Sequence, residues 1–173
     1  TMDRGWSRET FAFALAIHAG NLIDVQALGC DYLACSAYKF FGPHVGVLWG
    51  QRPLLEKLDA YKVRPAPQTL PDKWMVGTQS HESIAGAAAA VEYLADLGRR
   101  IAGNESLPRR GALREAYREI GLYERQLAGK LLAGLEQMGE IKVWGITSLQ
   151  RLEERVATIS FTHERFTPQQ MAE

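Results

Sequence analysis

Lys39 lies in the stretch "CSAYKFFGPHVGVLW" (35–49), between a short apolar run and a turn marked by glycine and proline. A lysine at the end of a buried strand, beside Phe40 and Phe41, loses hydration. That loss disfavours its ammonium form and leaves an amine able to attack an aldehyde, the chemistry of a Schiff-base lysine. An aldehyde that also carries a phosphate needs an anion cradle, and two candidates are present. Ser36 and Tyr38 flank the lysine and offer hydroxyls. "GTQSH" (77–81) puts Gly77, Thr78 and Ser80 at an expected helix start, where free backbone N–H groups and the helix dipole favour an anion. Plainer readings stand beside these: a surface lysine with its stem along apolar neighbours, and Thr78 or Ser80 as ordinary helix caps.

Other residue types give less. Cys30 and Cys35 are too few for a disulfide framework and too isolated for a zinc site, so both read as small buried hydrophobes in a reducing cytoplasm. The four histidines, His18, His44, His81 and His163, form no i, i+4 pair and no cluster with cysteine. Glu82 beside His81 reads as a favourable charge at a helix start.

The elements that must position Lys39 follow from the pattern around it. Residues 31–36 and 45–49 are brief apolar runs bounded by Gly and Pro, expected as core strands, with "KFFGPH" as the turn between them. A short helix is expected from Pro53. "VRPAPQTLPDKW" (63–74), with three prolines and no apolar period, reads as an extended loop. From Ser80 the residues Ile84, Ala87, Val91, Leu94 and Leu97 recur at helical steps, with Gly98 as the expected stop. The "AGAAAA" face of that helix would let a neighbouring backbone come close. A second helix is expected from about Pro108 to Met138, its stripe being Leu113, Tyr117, Ile120, Leu127, Leu131, Leu135 and Met138. Tyr93 and Tyr117 read as core or interface aromatics. "IKVW" (141–144) and "RVATISF" (155–161) are strand-like. "TPQQMAE" carries three helix-start signals: Thr167 as N-cap, Pro168 at the first position and Gln170 closing a capping box.

Bulk properties bound the function. A chain of 173 residues with 46% hydrophobic content can bury a globular core. Its 20 basic and 20 acidic side chains cancel, so overall charge gives no support for nucleic acid or an anionic membrane as partner. No apolar run approaches the ~18 residues of a spanning helix. The chain is therefore expected to be soluble, with small-molecule or protein partners.

"IDVQALGCDYLACSAYKFFGPHVGVLWG" and "VGTQSHESIAGAAAAVEYLADLG" together resemble the pyridoxal-phosphate-dependent class V aminotransferases, most closely their cysteine desulfurase-like branch. The resemblance rests on the order Asp31, Ser36, Lys39, Gly42, Pro43, Gly46 and Leu48. It implies the aspartate aminotransferase-like α/β fold, here in part. Residues 1–107 would belong to the large parallel-sheet domain, 108–138 to a linking helix and 139–173 to the start of the small α+β domain. It implies pyridoxal 5'-phosphate as cofactor, an internal aldimine at Lys39 and an amino-acid substrate. Ser36 and Tyr38 would contact the phosphate, and His18 would meet the ring hydroxyl. Thr78 would reach the phosphate of the other subunit in a homodimer with a shared cofactor site. At the place where relatives pair an aspartate with the pyridine nitrogen, this chain has Leu15. That substitution motivates the alternative of a dimerising scaffold without productive cofactor chemistry.

Overall fold

The computed structural model describes residues 22–173. His18 and Leu15 lie outside the described residues. The chain divides into two compact units, the first holding Ile23–Leu94 and the second holding Leu22 with Ala95–Glu173. The division falls within one long helix.

The first unit opens with a single helical turn, α1 (Val25–Leu28). The Asp24 carboxylate accepts from the N–H groups of Gln26 and Ala27, and Gly29 closes the turn at φ 61°. Both ends carry the residue types that satisfy orphan backbone groups. Strands β1 (Tyr32–Ser36) and β2 (Gly46–Gly50) then pair antiparallel, from Tyr32 opposite Gly50 to Ser36 opposite Gly46. These are the two strands expected from the apolar runs, within a residue at their ends, but β2 is not the core strand expected, since Val47 and Leu48 are exposed. The intervening segment is tighter than the sequence suggested: Ala37–Phe40 forms a 3-10 turn that includes Lys39. Next come α2 (Arg52–Lys57), with Pro53 in its first turn, and an irregular segment ending in a 3-10 turn at Asp72–Trp74. The unit buries Cys30, Leu33, Ala37, Ala90 and Leu94.

Helix α3 (His81–Ala102) begins one residue from its expected start and overruns its expected stop at Gly98. Gly98 does not end the helix because it serves a close approach. A Cβ built there would lie 1.7 Å from the carbonyl oxygen of Ala112. The stop belongs to Gly103 at φ 61°, where Gly103 N–H donates to Arg100 O and Asn104 N–H to Arg99 O, the paired bonds of a Schellman ending.

In the second unit the end of α3 meets α4 (Arg109–Glu136), a helix within two residues of the expected bounds. Its buried face differs from the expected stripe. Tyr117 and Leu135 are buried as anticipated, but Leu127, Leu131 and Met138 are exposed, and the burial falls on Ala112, Ala116, Gly121, Ala128 and Leu132. At the Ala112 end the two helix backbones come close, the carbonyl oxygen of Ala112 lying against Gly98 of α3. Strands β3 (Ile141–Trp144) and β4 (Ser160–His163) form a second antiparallel pair. β4 begins five residues later than the strand-like run. The Arg155 guanidinium donates to the carbonyls of Ile146, Val156 and Thr158, and so gathers residues 155–158 into a loop. The chain ends in α5 (Pro168–Ala172), where the Thr167–Gln170 capping box is present in both directions. Helices and sheets thus alternate as in a mixed α/β chain. Among the described residues both sheets are two-stranded and antiparallel.

Candidate functional site

Lys39 is fixed through its backbone. The buried Ala37 donates its N–H to Val45 O, 2.8 Å away, while its carbonyl accepts from Gly42, 2.9 Å away, so the turn closes over one alanine. Gly42 is required here: a Cβ would stand 2.9 Å from both the Cβ and the carbonyl oxygen of Ala37. Phe41, between Lys39 and that glycine, takes the left-handed conformation at φ 66° although it is not glycine. Such a backbone is costly for a bulky residue and persists only where its surroundings impose it. Pro43 supports the turn from below, with Gly86 of α3 so near that an added Cβ would lie 3.2 Å from the proline ring. The small-residue face of α3 therefore does what the sequence suggested and lets the lysine turn rest on it.

The side chain of Lys39 is half-buried, less enclosed than its place after a strand suggested. Its Nζ lies 4.7 Å from the centre of the Tyr38 ring, and Tyr38 in turn stacks on His44 at 5.1 Å. An ammonium over an aromatic face gains a modest electrostatic attraction. Among the described residues Nζ forms no ion pair, so no carboxylate competes for it. Ser36 ends β1 three residues before the lysine and gives no side-chain capping bond to the turn. Its hydroxyl is left available. Tyr38 is exposed.

The second candidate cradle is partly occupied by the protein itself. Gly77 adopts φ 83° just before Thr78, and the Gln79 side chain donates to the Gly77 carbonyl. Ser80 gives its hydroxyl to Glu82 Oε1 and meets Ser83 Oγ, each at 2.8 Å. A backbone hydrogen bond, then the Ser80 hydroxyl, hold the Glu82 carboxyl below its usual range. The positive end of α3 thus already faces one carboxylate. Thr78, exposed and just ahead of it, is the hydroxyl left over. Lys39, Ser36 and Tyr38 share one turn, whereas Thr78 stands on a separate segment.

Cys30 and Cys35 are free thiols, Cys30 buried and Cys35 half-buried, as their reading as small hydrophobes anticipated. Burial pushes the Cys35 thiol up, which lowers its thiolate fraction near neutrality. Among the described residues no three His, Cys, Asp or Glu side chains are grouped as metal ligands, and no helix is long and apolar enough to cross a membrane.

One residue was missed by sequence reasoning. Lys73 is 6% exposed, its ammonium reaching Glu56 O at 2.8 Å and Leu55 O at 3.3 Å. In "PDKW" it reads as a turn lysine, because its partners lie 17 and 18 residues earlier and are backbone atoms, which leave no mark in sequence.

Lys39 thus stands on a glycine–proline turn after a strand, with the Ser36 and Tyr38 hydroxyls at its flank. The profile described as aminotransferase class-V matches residues 16–173, and the chain belongs to that family. Among curated relatives it is 28% identical over 152 residues to the cysteine desulfurase of Yersinia pestis (strain Pestoides F), covering 80% of this chain and 32% of that protein. It is 27% identical over the same length to the cysteine desulfurase of Yersinia pseudotuberculosis serotype O:1b (strain IP 31758). The chain spans about a third of the length of these relatives.

Proposed function

We propose that this chain carries the lysine-bearing part of a pyridoxal-phosphate-dependent enzyme of amino-acid metabolism, with Lys39 as the residue that holds the cofactor covalently. The family consists of pyridoxal-phosphate enzymes, typically dimers acting on amino acids, and the named relatives are cysteine desulfurases. The observation that carries the reading is the Lys39 turn itself. Its backbone is over-determined by Ala37, Gly42 and Pro43, while its amine meets no carboxylate among the described residues.

The residues present fit a phosphorylated aldehyde: one primary amine, the Ser36 hydroxyl without a capping bond, and the Tyr38 phenol beside it. When bound, pyridoxal phosphate supplies an electron sink for charge left on a substrate carbon. In this reading Ser36 and Tyr38 donate to the phosphate. Lys39 Nζ would take and return the proton at the substrate's alpha carbon. A single base on a short turn suits that role, because proton transfer depends first on reach and then on basicity. His18 would meet the ring hydroxyl. The exposed Thr78 would donate to the phosphate held by a second subunit, which makes the site a shared one in a homodimer. The large-domain, linking-helix and small-domain division at 1–107, 108–138 and 139–173 and a cytoplasmic setting belong to the same proposal.

A second reading, a dimerising scaffold without cofactor chemistry, is favoured by the half-buried setting of Lys39, which is less enclosed than the sequence suggested. Retention separates the two. After incubation with pyridoxal phosphate and gel filtration, the chain is expected to keep the cofactor, Lys39→Ala to lose it, and Thr78→Ala to bind it about tenfold more weakly with little change in unfolding temperature. Retention equal in the chain and in Lys39→Ala would favour the scaffold. Parallel losses of binding and stability in Thr78→Ala would make that residue a helix cap only.

A further inference from the structure

From the geometry around α2 we infer that Lys73, together with Trp74, is a positioning residue that latches the Gly77–Thr78 segment to the C-terminal carbonyls of α2. The inference rests on the reading of Thr78 as a phosphate donor and adds what holds it in place.

Leu55 and Glu56 lie in the last turn of α2, where carbonyls have no partner within the helix. The Lys73 ammonium donates to both, and the Trp74 indole donates to Leu55 O at 3.1 Å, so two consecutive side chains hold one helix end. Among the described residues Lys73 is the charged side chain that is buried, and the groups it meets there are carbonyls. An ammonium is favoured at that end of a helix, and burying one without such partners would be costly. A lysine chosen only to fill space would be replaceable by methionine. Here the charge and its donors are what the helix end requires.

Three residues, Met75, Val76 and Gly77, separate Trp74 from Thr78. Val76 is exposed and Gly77 sits at φ 83°, so the segment is not held by burial of its own side chains. Its path is set at one end by the latch and at the other by the start of α3. On one side it borders an open cleft of about 410 Å³ whose lining includes Leu48, Leu55, Trp74, Met75, Val76 and the polar Gln79. Without the latch the segment has open space beside it in which to shift, and Thr78 would move with it.

The test pairs a readout that needs no cofactor with one that does. In Lys73→Met, exchange of the hydrogen-bonded amides at positions 73–75, which donate to the carbonyls of Thr69, Pro71 and Asp72, is expected to speed up about tenfold, with the β1–β2 hairpin unchanged within about twofold. Pyridoxal phosphate should bind about tenfold more weakly, ~1.4 kcal/mol, yet Lys73→Met should add less than about twofold in a Thr78→Ala background. Trp74→Phe, which removes one donor, should shift exchange in the same direction by less and serves where Lys73→Met fails to fold. Unchanged exchange at 73–75, or equal acceleration in the hairpin, overturns the latch. Should the unsubstituted chain take up no pyridoxal phosphate, the cofactor reading fails, and the exchange measurement alone decides the latch.

Discussion

Burial acts on two protonated groups in the same direction, with different consequences. Desolvation pushes the Cys35 thiol up, so this cysteine is a poor thiolate near neutral pH and a poor nucleophile beside Lys39. Desolvation also pushes the Tyr117 phenol up, within the core of the second unit. A phenol whose folded value lies above its unfolded value of about 10 leaves stability untouched at lower pH. As pH rises past that value the unfolded chain releases the proton while the folded chain keeps it, and stability falls. The unfolding temperature is therefore expected to drop above about pH 10, and to drop less in Tyr117→Phe. Parallel curves for the two proteins would show that Tyr117 does not carry this dependence. At this scale the turn that carries Lys39 was legible as a break between two strands, whereas a role for the lysine came only from the resemblance around it, since alone it reads equally as a surface residue. Lys73 was not legible, because its two partners are main-chain carbonyls of α2.

Two glycines of the long helices make opposite predictions. At Gly98 of α3 a Cβ would fall 1.7 Å from Ala112 O, inside any contact distance, so alanine there must push α4 away. Overpacking of that kind costs about 3 kcal/mol, against roughly 1 kcal/mol gained in helix propensity. A net loss of about 2 kcal/mol is expected for Gly98→Ala in chemical denaturation. At Gly134 of α4 nothing lies within 4 Å of the added carbon, so Gly134→Ala should gain up to about 1 kcal/mol. Losses of similar size at both sites would contradict the close approach. The same pair explains where sequence reasoning succeeded and where it did not. The strands, the helix bounds and the Thr167 capping box are set by residues within a few positions of one another, and these were readable. Helical periodicity shows which residues share a face but not which face meets a neighbour. The leucine stripe of α4 therefore drew attention away from Ala112, Ala116 and Ala128, and Gly98 was read as a stop.

At the scale of the whole chain, the family was legible from about two dozen residues around Lys39 and a second run from Val76 to Gly98, and the class-V aminotransferase profile covers residues 16–173. What precedes Thr78 was less legible, since the bonds of Lys73 and Trp74 to the carbonyls of α2 leave no mark in sequence. The first unit holds β1, the lysine turn, α2 and most of α3, and Gly86 on the small-residue face of that helix lies against Pro43. Much else on the chain is exposed and apolar, including Tyr93 in the first unit and Leu127 and Leu131 in the second. All of this converges on one amine. The most direct measurement is borohydride reduction of the chain mixed with pyridoxal phosphate, followed by mass-spectrometric mapping of the adduct. The account predicts a single modification on Lys39, absent from Lys39→Ala. Labelling scattered over the surface lysines, or the same yield in Lys39→Ala, would contradict it.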